Sequence, residues 1–224
     1  MPVFRLTDDL LFPHPTLAEN GLLAIGGDLR PERLLLAYSN GIFPWPEGEG
    51  SPMLWASPDP RLVLFPDMYR PSQRLLRAIR QKKFSVSFDD NFARVIHYCS
   101  TVDRPRQNGT WITRDIIKAF IELHHLGYGH SVETYYDGRL AGGIYGLSLG
   151  GAFFGESMFY HVSDASKVAF YYLVERVKEW NFDFIDAQVT TPHLLNWGAE
   201  NISRNEYLRI LKKTLQRPTY KGNW

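Results

Sequence analysis

The chain has 224 residues, 44% hydrophobic and 22% charged, with a formal net charge of +1. Those values exclude wholesale disorder and suit one large domain or two small ones, and near-neutral charge leaves any nucleic-acid binding to local clustering. The one cysteine, Cys99, excludes an intramolecular disulfide; with no signal peptide and no stretch able to cross a bilayer, the expectation is a cytoplasmic protein that does not enter membranes.

Residues 1–60 are dense in proline, glycine and aromatics. GLLAIGGDL (Gly21 to Leu29) is a short apolar segment ending in a glycine pair. PERLLLAYSNG (Pro31 to Gly41) predicts a short helix, with Pro31 in its first turn, Leu34, Leu35 and Tyr38 on one face and Gly41 as its stop. The following GIFPWPEGEGSPMLWASPDPR has too many prolines for a ladder or helix and is expected to be an ordered loop. It holds Trp45 and Trp55, and tryptophans on a loop serve either to pack domains or to stack bases.

RLVLFP (Arg61 to Pro66) predicts the strand that begins a larger unit. In the helix PSQRLLRAIRQKK, Leu75, Leu76 and Ile79 point one way; Arg70, Arg74, Arg77 and Arg80 cluster on the other, with Lys82 and Lys83 at the end. Such a face is either solvated surface or a phosphate-binding stripe, and the absence of acids at i±4 leaves both readings open. FSVSFDDNF then alternates as a strand and NFARVIHYCS continues as a short helix. DRPRQNG is a loop before a helix capped by Thr113 and stopped by Gly127, with Trp111 just ahead of the cap. His124 and His125 are adjacent, cannot share a helix face at ligand spacing, and argue for no metal site.

Next comes a β-meander, with Asp137-Gly138 and Gly150-Gly151 as its turns and Gly142, Gly143 and Gly146 as marks of a bulge or a close approach. Alternation in its last strand puts Ala152, Phe154, Glu156 and Met158 on one face, which makes Glu156 a carboxylate in an apolar row. Ser163 and Asp164 are suited to cap the helix that follows, where Phe170, Leu173, Val174 and Val177 form one packed face. The strand Phe182 to Val189 sets Asp186 and Gln188 on one face, an acid beside an amide. A greasy hollow floored by a helix, with Glu156, Asp186 and Gln188 at its rim, is the shape of a small-molecule or side-chain site. A short helix, a turn at Gly198, a strand–helix segment and a tail (TLQRPTYKGNW) without clear order complete the chain.

This element order is that of the GNAT N-acetyltransferase superfamily, so the expected fold class is α+β: a small N-terminal α+β domain over 1–60 and a GNAT-like domain over 61–224. An acetyl-CoA enzyme needs a glycine-rich turn whose amides cradle pyrophosphate, and the equivalent place reads YHVSDASK, which argues against that donor. The strings NGLLAIGGDL, LLLAYSNGIFPW, LWASPDPR, GTWITR, GLSLGGAFFGESMF, DASK and FIDAQ resemble, end to end, the leucyl/phenylalanyl-tRNA–protein transferase family. The resemblance implies transfer of Leu or Phe, with Met as a further donor to test, from aminoacyl-tRNA to the N-terminal Arg or Lys of acceptor proteins. That addition marks them for N-end rule degradation, and the resemblance implies no cofactor; a monomer is the expected state.

The resemblance also implies roles for residues. The aminoacyl side chain would sit among Ile144, Met158, Phe170, Leu173, Val177 and Ile185. The terminal adenosine would stack on Trp45 and Trp111 with Tyr38 nearby, and Arg74, Arg77, Arg80 and Lys83 would meet tRNA phosphates. Asp186 and Gln188 would be catalytic: Gln188 orients the amine through its carbonyl oxygen and Asp186 supplies negative charge. The proton acceptor stays open among Asp186, water and the tRNA 2′-hydroxyl. Glu156 either attracts the acceptor's cationic terminus or braces the rim. Two other readings compete: a GNAT-type transferase using aminoacyl-tRNA on a cell-wall peptide, and a non-catalytic tRNA-binding module.

Overall fold

The computed structural model describes residues 3–102 and 110–224; the predicted loop at 103–108 and Gly109 of GTWITR lie outside the described residues. The chain opens with strands β1 (Phe4–Leu6) and β2 (Leu22–Gly26), helix α1 (Pro31–Ser39) and strands β3 (Phe43–Pro44) and β4 (Leu54–Ala56). The four strands form one sheet in the order β1-β2-β4-β3. The proline-rich stretch expected to be loop alone thus carries two short strands. Pro44 is tolerated because β3 is an outer strand, where one side of the ladder has no partner. Trp55 is fully buried and donates its indole N–H to the Gly26 carbonyl at 2.8 Å, a packing role.

The rest comprises β5 (Arg61–Leu64), α2 (Gln73–Arg80), β6 (Ser85–Phe88), α3 (Phe92–Thr101), α4 (Arg114–His125), β7 (Gly129–Tyr136), β8 (Arg139–Leu149) and β9 (Ala152–Tyr160), then α5 (Ala165–Glu179), β10 (Phe184–Gln188), α6 (Pro192–Asn196), β11 (Glu200–Ile202) and α7 (Arg204–Thr214). Its sheet runs β11-β5-β10-β9-β8-β7-β6. Strands β7 to β9 are an antiparallel meander, and α5 returns the chain to β10, parallel to β9. The fold is α+β with the GNAT-like order of meander, crossover helix and parallel strand. Asp137 and Gly138, at φ 49 and 71, make the β7–β8 turn with both central residues left-handed, as two-residue hairpins favour.

Two apolar clusters pack on opposite faces of the large sheet. One joins α3, α4, α7 and the small sheet through residues such as Val95, Phe120, Tyr207, Leu34 and Trp55. The other lies beneath α5 and holds Phe170, Leu173, Val174, Val177 and Ile185. Gly142 lets α5 approach the sheet: a Cβ there would stand 2.7 Å from that of Ala165. The tail after α7, read from sequence as lacking clear order, is packed by its aromatics. Tyr220 stacks on Trp180 at 4.6 Å and Trp224 on His130 at 4.2 Å.

Candidate active site

The site lies where β9 and β10 part. Their parallel pairing runs Phe184–Ala152, Ile185–Phe153, Asp186–Phe154 and goes no further. Just past that point each strand carries a bulge. On β9, Tyr145 pairs with Ser157 and Gly146 with Gly155, so Glu156 is the extra residue. On β10, Asp186 pairs with Val63 and Gln188 with Leu62, so Ala187 is extra and Gln188 turns left-handed at φ 63. Bulges re-aim side chains and bend strands apart. The single row expected from alternation is therefore broken: Phe154 belongs to the cluster beneath α3 and α4, whereas Met158 packs against the cluster beneath α5.

The bulge turns Glu156 toward α1 and β10. Its Oε1 accepts from the Tyr38 hydroxyl at 2.7 Å and from Gln188 Nε2 at 2.8 Å, and its Oε2 is buried with no partner among the described residues. Burial, opposed by those two hydrogen bonds, pushes its pKa up to about 8. Glu156 offers only acceptors on that side, so the Gln188 amide presents its N–H₂ there and turns its carbonyl oxygen the other way. Tyr38 corrects an expectation. It is fully buried, set edge-on to Phe154 and Phe120, and engaged with Glu156, so it offers no face to an adenine.

Asp186 is fully buried, and both carboxylate oxygens are engaged. Arg61 donates Nε to Oδ1 at 2.9 Å and an NH2 proton to Oδ2 at 2.6 Å; Tyr207 donates to Oδ2 at 2.7 Å; the Gln188 backbone N–H donates to Oδ1 at 2.9 Å. Arg61 also donates to the Gly41 carbonyl at 3.1 Å and lies between the Phe43 and Tyr207 rings, 4.8 and 4.5 Å from their centroids. Burial, the largest single influence, opposes its charge, but Asp186 together with Tyr207 and Tyr38 more than offsets it and the guanidinium pKa is raised. Removing either partner of such a pair strands the other at a cost of about 3–5 kcal/mol. Asp186 thereby fixes the backbone that presents Gln188, and its own charge is spent on Arg61. Sequence reading passed over Arg61 and Tyr207. The available signals were a cation opening the apolar run RLVLFP and a tyrosine on the inward stripe of α7, with Leu211 and Thr214.

Beside this polar cluster opens a cavity of about 210 Å³. Ile144, Met158, Phe170 and Ile185 line it, with Phe43, Val189 and Leu194 adding apolar wall that the sequence did not assign to it. An apolar cavity of roughly 150 Å³ already admits benzene, so this one has room for a benzyl or isobutyl group. Leu173 and Val177 correct the expected lining. Both are fully buried in the cluster beneath α5 and are absent from the cavity wall; α5 turns only Phe170 of that face into the opening. Glu156, Asp186 and Gln188 are among the lining residues, and Trp45 and Trp111 flank them. Trp45 is 42% exposed, as a stacking surface requires. Among the described residues no group of three or more His, Cys, Asp or Glu is placed to hold a metal ion.

On α2, capped by Ser72, Arg74, Arg77 and Arg80 are exposed, and Leu75 is its buried anchor. Arg74 meets Asp164 at 3.0 Å, an acid from the start of α5 rather than from its own helix. Asp164 occupies the cap position of α5, but its carboxylate takes Arg74 and Lys167 and no helix amide. Arg77 and Arg80 have no acidic partner among the described residues. The Lys83 ammonium sits over the rings of Phe84 and Tyr136 at 5.3 and 5.4 Å. The arrangement as a whole can hold an apolar side chain, set an amide carbonyl and a near-neutral carboxyl beside it, and carry cations on a neighbouring helix.

Residues 63–212 match the family model described as leucyl/phenylalanyl-tRNA protein transferase, and residues 27–59 match the model of that family's N-terminal domain. The leucyl/phenylalanyl-tRNA–protein transferase of Myxococcus xanthus (strain DK1622) is 50% identical, covering 100% of this chain and 97% of that protein. That of Anaeromyxobacter sp. (strain K) is 52% identical, covering 100% and 96%. Among solved structures, a GCN5-related N-acetyltransferase from Kribbella flavida superposes with a TM-score of 0.38 at 9% identity, over 75% of this chain and 60% of that one.

Proposed function

The chain belongs to the leucyl/phenylalanyl-tRNA–protein transferase family, aminoacyltransferases, and from that premise we propose how its residues carry the reaction and which acceptors it takes. The donor's Leu or Phe side chain enters the cavity lined by Ile144, Met158, Phe170 and Ile185. The unbranched, flexible Met158 accommodates both shapes, and Met as well. The terminal adenosine stacks on Trp45 and Trp111, and Arg74, Arg77, Arg80 and Lys83 meet phosphates of the tRNA body. The acceptor is a polypeptide starting with Arg or Lys, which becomes a substrate for N-end rule degradation. The protein acts as a cytoplasmic monomer, with residues 1–60 and 61–224 as its two domains.

The chemistry is aminolysis of an ester. The α-amine nitrogen attacks the ester carbonyl carbon, the bond to the ribose oxygen breaks, and one proton passes from nitrogen to that oxygen. The Gln188 carbonyl accepts a hydrogen bond from the amine and aims its lone pair. Glu156 is the proton acceptor. With a pKa near 8, close to that of an α-amine, its carboxylate takes the proton at little cost and can return it to the departing oxygen. Asp186 is a positioning residue, since Arg61 and Tyr207 already occupy its carboxylate.

One observation carries this reading: an apolar cavity of about 210 Å³, lined in part by Trp45 and Trp111, opens beside the hydrogen-bonded Glu156–Gln188 pair. The test is incubation of the purified protein with labelled Phe-tRNA and an Arg-starting peptide. Labelled peptide is expected. Retention of the tRNA without turnover, or transfer to a muropeptide alone, would overturn it.

A further inference from the structure

A second concavity, of about 450 Å³, opens beside Trp45. It shares Trp45 and Val189 with the catalytic cavity, so its near end is one residue from Gln188. Leu54, Ala56 and Pro58 form its apolar floor, and among the described residues Glu47 is the only ionisable side chain that lines it. Glu47 is exposed and meets no cation within ion-pair distance among the described residues.

We propose that this groove is the subsite for the first side chain of the acceptor polypeptide, and that it selects a cation on an aliphatic stem. The proposal rests on the transfer reaction above. An attacking α-amine at Gln188 is attached to a Cα whose side chain must leave the reaction centre at once. The apolar cavity is filled by the donor's own side chain, and the path over Val189 leads into the groove. There the methylenes of Lys or Arg lie along Leu54 and Pro58, as long cationic side chains do against apolar surface. The head group meets the Trp45 ring and the Glu47 carboxylate, an electron-rich face and an unpaired anion. The same carboxylate repels a phosphate backbone, which favours a polypeptide over a further stretch of RNA as the occupant.

The experiment uses full-length protein, wild type, Glu47→Gln and Glu47→Lys, with labelled Phe-tRNA. Three peptides differ only in their first residue: arginine, lysine, or citrulline, arginine's neutral isostere. The wild type is expected to show a lower KM for the two cationic peptides than for citrulline. E47K should raise the arginine and lysine KM about tenfold, the size of a lost exposed ion pair plus a weakened cation–π contact. E47Q should raise them less, and the citrulline KM should stay where it was. Equal use of citrulline and arginine by the wild type would overturn the subsite while leaving the transfer reaction intact. So would an unchanged arginine KM in E47K, or tighter aminoacyl-tRNA binding by E47K at unchanged peptide KM, which would assign the groove to RNA. Absence of transfer to all three peptides would overturn the reaction and the subsite together.

Discussion

Glu156 is held by a tyrosine from α1 and a glutamine from β10, and burial keeps it protonated well above the usual carboxylate range. Two consequences follow with opposite uses of the same proton. As a base, Glu156 works when ionised, so at saturating peptide the wild-type rate should climb through an inflection near pH 8. Glu156→Gln, which keeps the hydrogen-bond geometry but cannot titrate, should lose both the inflection and most of the rate; a pH–kcat profile checks this. For stability the sign is reversed. The unfolded carboxyl ionises near 4.5 while the folded one holds its proton to about 8, so the stabilising preference for the proton is complete below 4.5 and fades between those values. Denaturant midpoints of the wild type should fall relative to Glu156→Gln as pH rises from 5 to 8. At this scale the sequence was half legible. An acid in an apolar row marks Glu156, but nothing local marks its partner Tyr38, 118 residues away, which the family resemblance places near the adenosine.

At the scale of elements, the site exists because two neighbouring strands each carry one residue too many. Glycine makes the β9 bulge possible from the opposite strand: a Cβ on Gly146 would overlap the Phe154 carbonyl and crowd the Phe153 ring. Gly146→Ala should therefore shift the bulge or the strand pairing, at about 1–3 kcal/mol as for other overpacked positions. Turnover should drop by more than that loss accounts for, because Glu156 is re-aimed. Turnover per folded molecule, with thermal melting alongside, separates the two effects. Strand alternation revealed which residues of β9 and β10 were chemically odd, and helix periodicity revealed the packed face of α5. Neither periodicity shows an inserted residue, which shifts every later side chain by one face. On α5 the periodicity holds, and it is the family resemblance that put Leu173 and Val177 in the cavity wall, where only Phe170 of that face reaches.

Across the whole molecule, the cations are unevenly placed: Arg74, Arg77 and Arg80 share the exposed face of α2 in a chain of net charge +1. Replacing all three by glutamate should weaken aminoacyl-tRNA binding and flatten the dependence of log affinity on log salt, since fewer counterions are released. Binding measured across a salt series checks it, and an unaltered slope would return the helix to plain surface. Leu75, the buried anchor of α2, is untouched by the change, so the fold should persist. The long-range links were the least legible in sequence, because nothing local marks them. Arg61 finds Asp186 across 125 residues and Tyr207 across 146, and it closes onto the Gly41 carbonyl.

That one guanidinium gathers a loop after the first helix, the tenth strand and the last helix into a single knot. A growing chain therefore cannot close this knot until residue 207 has been added. Until Tyr207 joins, one of the two donors to Asp186 Oδ2 and one of the rings beside the buried guanidinium are missing.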